Sequence, residues 1–182
     1  MRIIAVGAQD HALIAQMAAV LVAAFAEHSP DAWPELSEAV EEVATALAPG
    51  KVCLAAVDDD GQTVLGWIGG QPEYSRVWEL HPLAVSPDHQ KQGVGRALVA
   101  ELERRVRALG GLTLRLGSED DDGQTSIFGT DMYDDPLGKL KAITNPGGHT
   151  YEFYQRCGYT IVGVIPDSDG PGKHDILMAK RL

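Results

Sequence analysis

The segment Trp78–Leu109, WELHPLAVSPDHQKQGVGRALVAELERRVRAL, constrains the fold more than any other stretch of the chain. Trp78–Val85 is short, with apolar, aromatic and β-branched residues, and reads as a strand. Ser86–Gly93 is a polar connection containing Pro and Gly. Val94, Leu98, Leu102, Val106 and Leu109 then recur at spacings of four, four, four and three, which is one face of a helix. A further strand, Leu112–Leu116, follows, so the two strands flanking the helix must run parallel through a right-handed crossover. The octapeptide Gln90-Lys91-Gln92-Gly93-Val94-Gly95-Arg96-Ala97 places two glycines where this helix begins. Backbone N–H groups there lack partners and the helix dipole is positive, so the segment reads as a phosphate cradle. No Gly-Lys-Ser/Thr follows, which excludes a P-loop, and the third glycine of a dinucleotide fingerprint is missing. A turn without a ligand explains the two glycines alone equally well.

The rest of the chain supplies a mixed sheet around this unit. Met1–Gly7 is expected to be a strand, and Asp10 to cap a helix running to Phe25. Glu27–Leu36 is a Pro-rich loop. Ser37 is expected to cap a second helix that turns Leu36, Val40, Val43 and Leu47 inward. Lys51–Val57 and Thr63–Gly70 read as a hairpin. After Gly110-Gly111 come the strand Leu112–Leu116, a polar acidic run Ser118–Asp122 and an irregular stretch with helical potential at Leu137–Ile143. A short helix, Tyr151–Cys157, precedes two strands, Tyr159–Ile165 and His174–Lys180. The order predicts one α/β domain over residues 1–182, a mixed sheet covered by helices on both faces. The length, 182 residues, suits a single core.

The net charge of −11 argues against nucleic acid or an anionic membrane surface as the main partner and is compatible with a cationic ligand. Two cysteines without metal-ligand spacing read as free thiols of a reducing compartment, and no metal site is expected. With no signal-like N-terminus and no long apolar run, the expected location is cytoplasmic.

Chemistry concentrates in Trp78–Val85. Pro82 cannot donate to a ladder, so a bulge or splay is expected there, leaving backbone N–H groups, Leu83 first, free to face a ligand. Glu79 and His81 are two apart and share a strand face. The carboxylate and imidazole can relay a proton, or can be no more than a solvated pair.

The pattern Gln90-x-x-Gly93-x-Gly95 between strand and amphipathic helix, followed late in the chain by Tyr151-Glu-Phe-Tyr154 and Gly158-Tyr159, resembles the GNAT acetyltransferase superfamily. The stretches WELHPLAV, LRLGSEDDDGQTS, TDMYDD, YEFYQRCGYTIVGVIPD and DILMAK are similar to the aminoglycoside 6′-N-acetyltransferases. The resemblance implies a GNAT fold, a mostly antiparallel sheet with one parallel, splayed pair. It implies acetyl-CoA as co-substrate, held by Leu83, Ala84 and Val85 along the strand and by Gln90, Lys91, Gln92, Gly93, Val94, Gly95, Arg96 and Ala97 at the phosphates. Glu79 would contact the acceptor amine as base, His81 would relay or position, and Tyr154 would give the leaving sulfur its proton. Trp33, Glu35, Tyr74, Glu79 and Asp122 would bind a cationic aminoglycoside, and the protein would be a homodimer. Two other readings fit the sequence: acetylation of another amine, such as a polyamine or peptide, or acyl-CoA binding without turnover.

Overall fold

The computed structural model describes all residues, Met1–Leu182, and its contacts divide the chain into two compact units. No helix is long and apolar enough to cross a membrane.

The first unit is Met1–Leu114 with Leu182. It holds β1 (Arg2–Ala5), α1 (His11–Phe25), α2 (Leu36–Ala46), β2 (Val52–Val57), β3 (Val64–Pro72), β4 (Val77–Val85) and α3 (Val94–Ala108). The strands lie in the order β1-β2-β3-β4 and pair antiparallel throughout. Next to β4 in the sheet order comes β5 (Thr113–Asp120), whose first two residues belong to this unit. β4 and β5 form the parallel pair that the α3 crossover requires.

Each sheet face has its own helical cover because side chains alternate along a strand. Trp67, Ala55 and Ala84 join Met17, Leu21, Ala39 and Val43 in the core under α1 and α2. Trp67 is fully buried and its Nε1–H donates to Met17 O at 2.9 Å, so the ring is packed without an orphaned donor. On the other face Gly70 meets Leu102 of α3. α3 ends as its glycines predict. Gly110, at φ 84°, lets Gly111 N–H reach Val106 O (2.9 Å) and Gly110 N–H reach Arg107 O (3.0 Å), so two terminal carbonyls are satisfied.

Several expectations give way at element ends. Asp10 stands at the N-cap position of α1 as expected, but its side chain makes no capping bond; its carboxylate instead accepts from Gly7 N–H at 2.8 Å, closing the turn before the helix. α2 starts at Leu36, ahead of the expected cap Ser37. It buries Ala39, Val43 and Ala46, while Leu36 (54%) and Val40 (39%) are exposed. Ala39, Val43 and Ala46 join the core with Met17 and Leu21 of α1, which leaves the side carrying Leu36 and Val40 outward. Leu109, at the end of α3, is likewise exposed.

The second unit is Arg115–Arg181. It holds the remainder of β5, α4 (Pro136–Lys141), α5 (Tyr151–Arg156), β6 (Thr160–Ile165) and β7 (His174–Arg181), with strand order β5-β7-β6. β5 is longer than Leu112–Leu116 and runs through the acidic stretch to Asp120. Leu114, Leu116, Ser118 and Asp120 all point inward, a single period-two face that changes from apolar to polar halfway along.

Candidate functional site

The break at Pro82 is a bulge in β4. Ile68 pairs with Leu83 and Gly70 with Leu80, so His81 and Pro82 together oppose the single residue Gly69. The His81–Pro82 peptide is cis. Gly69 is required for this geometry: a Cβ there would stand 2.2 Å from His81 O.

The bulge also sets where the backbone points. Ser86 N–H donates to Leu65 O at 2.9 Å, so that opposed pair is a hydrogen-bonded one. Antiparallel pairs alternate, which makes Trp67–Ala84 hydrogen-bonded and Ile68–Leu83 not. The Leu83 N–H therefore faces away from β3, as does that of Val85, whereas Ala84 is tied into the ladder with its side chain in the core. Of the three strand residues expected to meet a coenzyme, Leu83 and Val85 thus offer outward amides and Ala84 does not.

Glu79 and His81 share the face that looks toward α1 and α2. Glu79 is half-buried opposite Gln71, whose Nε2 donates to Glu79 Oε2 at 2.7 Å. His81 Nε2 lies 3.7 Å from Glu42 Oε1 of α2, and its ring centroid is 6.1 Å from that of Trp33. Trp33 packs edge-on against Phe25 at 4.7 Å and lines a cavity of about 110 Å³ with Val22, Phe25 and Pro30. Trp33, His81 and Glu79 are therefore gathered on one face of the first unit. Glu35 is exposed at the start of α2, and Tyr74 is 68% exposed in the turn joining β3 to β4.

Before α3, Gln90 Nε2 donates to Val85 O (3.3 Å) and Gln92 Nε2 to Asp88 O (2.9 Å), so both glutamines brace the loop. Lys91 and Gly93 have positive φ, 58° and 89°. The first amide to bond back along the helix is that of Ala97, to Gly93 O at 3.0 Å. The N–H groups of Val94, Gly95 and Arg96 precede that ladder. A Cβ added at Gly93 would meet nothing within 4 Å, so the space beside the start of the helix is open there. Lys91 and Arg96 are exposed beside it. This is a fitting cradle for a phosphorylated co-substrate.

Tyr154 and Asp122 belong to the second unit. Tyr154 is 9% exposed, its ring 5.0 Å from Phe153 and 5.9 Å from Tyr159. Burial, with Cys157 nearby, pushes its phenol well above the ordinary range, so it stays protonated and able to donate. Asp122 is exposed beside Gln124, whose Nε2 is 3.5 Å from Asp122 Oδ2. Glu119 has its carboxyl pushed up by burial and by the acids Asp175, Asp121 and Asp169. Asp120 breaks the acidic run. It is fully buried, and its carboxylate accepts from the N–H groups of Gly123 (3.0 Å), Gln124 (2.7 Å) and Thr125 (2.8 Å) and from Thr125 Oγ1 (2.7 Å). The run is thus not one solvated acidic surface. A larger cavity, about 520 Å³, lies among Leu140, Lys141, Tyr151, Gln155 and Tyr159 and contains none of the expected site residues.

Gln71, Glu42 and Gly69 carried no signal of their own in the sequence, because each is defined by a cross-strand or helix-on-sheet partner. Asp120 could have been found from the period-two run that starts at Leu114. Cys53 is not a reactive candidate: burial pushes its thiol up to about 12.

The model of the Acetyltransferase (GNAT) family matches residues 16–127. No curated protein sequence matches the chain. Among solved structures, an aminoglycoside 6′-N-acetyltransferase complexed with coenzyme A is 38% identical over 100% of this chain and 97% of its own, with a TM-score of 0.89. The aminoglycoside 6′-N-acetyltransferase from Enterococcus faecium is 37% identical over the same shares, with a TM-score of 0.87. An aminoglycoside 6′-acetyltransferase type Ii is 33% identical, again over 100% and 97%, with a TM-score of 0.73. With the bulged strand, the cradle and the mixed sheet in place, the chain belongs to the GNAT acetyltransferase family.

Proposed function

We propose that this acetyltransferase moves the acetyl group of acetyl-CoA to the 6′-amine of an aminoglycoside. The observation that carries the reading is the likeness to two aminoglycoside 6′-N-acetyltransferases at 37 and 38% identity over the entire chain. The acidic character of the chain suits a polycationic acceptor. Acetylation would turn one ammonium into a neutral amide, and the cellular consequence would be antibiotic resistance.

In this reading acetyl-CoA supplies an activated acyl thioester, with its phosphates on the N–H groups of Val94, Gly95 and Arg96 and beside Lys91. Glu79, oriented by Gln71, accepts the proton of the acceptor amine. The amine nitrogen forms the new bond to the carbonyl carbon as the carbon–sulfur bond breaks. The outward Leu83 N–H donates to the oxygen that gains charge, and Tyr154 returns a proton to the sulfur. Trp33, Glu35, Tyr74 and Asp122 contact the acceptor, with His81 positioned by Glu42.

The deciding assay is CoA release with tobramycin or kanamycin beside an aminoglycoside carrying a 6′-hydroxyl. Turnover with the 6′-amino compounds alone is expected. No turnover with any of them overturns the reading, and equal turnover moves the reaction to another amine. Glu79→Gln should lower kcat by about 10²-fold with little change in the KM for acetyl-CoA; wild-type kcat would remove Glu79 as base. Gly93→Val should do the opposite. A branched side chain would fill the open space beside the start of the helix and strain a positive-φ position, raising the KM for acetyl-CoA by about tenfold. An unchanged KM would place the phosphates elsewhere.

A further inference from the structure

We propose that His149 is a positioning residue for Tyr154, holding the entry of α5 in register with the end of β5. The proposal rests on the reading of Tyr154 as proton donor. His149 is 3% exposed, and both of its ring nitrogens are committed. Tyr151 N–H donates to Nδ1 at 3.2 Å, and Nε2 lies 2.9 Å from Glu119 O. A carbonyl oxygen can only accept, so Nε2 carries the proton. Nδ1 accepts, so it carries none. The ring is one neutral tautomer, bonded both to the backbone of Glu119 in β5, 30 residues away in sequence, and to that of Tyr151 in α5.

The backbone around the ring is held as well. Asn145 Oδ1 accepts the His149 N–H at 2.5 Å, and Asn145 Nδ2 donates to His149 O at 2.9 Å. The next side chain, Thr150 Oγ1, is 2.8 Å from Ser118 Oγ on β5. These bonds join residues 145–151 to Ser118 and Glu119. They matter because α5 has only six residues. A helix that short does not hold its own direction, so its entry decides where it points. Tyr154 stands one turn beyond Tyr151, whose N–H the imidazole receives. A shift at the entry is therefore transmitted to the phenol. An apolar ring of similar volume could fill the same space, but it could not bind the backbone of β5 and α5 at once.

The test is a double-mutant cycle with CoA release from acetyl-CoA and tobramycin, scored per folded enzyme after thermal unfolding of each variant. H149Q retains a donor for Glu119 O and H149N retains an acceptor for Tyr151 N–H, so one serves if the other fails to fold. Each should lower kcat by roughly 10- to 100-fold, as expected for a misplacement on the order of 1 Å, with the KM for acetyl-CoA nearly unchanged. In a Tyr154→Phe background the same substitutions should lower kcat no further. Losses that multiply in the double variants would overturn the positioning role while leaving Tyr154 in place. Wild-type kcat in Tyr154→Phe alone, or no acetyl transfer to the antibiotic by the unaltered protein, would overturn the underlying reading and this proposal with it.

Discussion

Replacing Gly69 by alanine is expected to reduce kcat by on the order of 10²-fold while the protein remains folded. Gly69 sits opposite two residues of β4, and the carbonyl of His81 fills the space where its side chain would be. A Cβ at 2.2 Å from that oxygen and 3.1 Å from its carbon cannot be absorbed by a side-chain rotation, because both atoms are backbone. The strand must move, and the segment that moves lies between Glu79 and Leu83. Overpacking of this kind costs about 1–3 kcal/mol in stability. The catalytic loss should be larger in effect, because the proposed base and the outward amide are displaced relative to each other. Gly163→Ala is the matched control, since its Cβ would meet only Leu177 Cδ1 at 3.7 Å, an ordinary contact. Steady-state kinetics on both variants decide the matter. A Gly69→Ala enzyme with wild-type kcat would show that the bulge geometry is not what the reaction depends on.

Asp120→Leu should lower the stability by about 4 kcal/mol, because three backbone N–H groups and a hydroxyl lose a buried acceptor at roughly 1 kcal/mol or more each. For a chain of this size that corresponds to a fall in Tm of roughly 10 °C. Asp120→Asn keeps one acceptor oxygen and should lose less. Asp122→Asn, two residues on and exposed, should change the stability by no more than about 0.5 kcal/mol and act instead on the KM of a cationic acceptor. Thermal unfolding of the three variants separates the roles. Equal, small shifts for all three would return Asp120 to the solvated acidic run.

Much of the framework is legible in the sequence. The period of α3 was readable because it buries one stripe against a sheet, and its Gly110 stop because only a left-handed residue closes that motif. The bulge followed from Pro82, which has no N–H to give a ladder. Legibility failed where a local signal competed with a tertiary one. Leu36 and Val40 satisfied the helical spacing but lost the core-facing side to Ala39, Val43 and Ala46, which pack with α1. The acidic stretch looked like loop because charge normally marks solvent, yet β5 continues into it as far as Asp120.

The site divides in the same way. The sequence by itself determined the strand–cradle–helix unit, the break at Pro82 and the shared face of Glu79 and His81, because these depend on the backbone of adjacent residues. Only the tertiary structure decided that Gln71 orients Glu79, that Glu42 lies beside His81, that Gly69 makes room for the bulge, and that His149 bridges Glu119 and α5. The physical reason is common to all four. Each is a hydrogen bond, ion pair or close approach between residues brought together by strand register or helix packing, and no local periodicity encodes the partner.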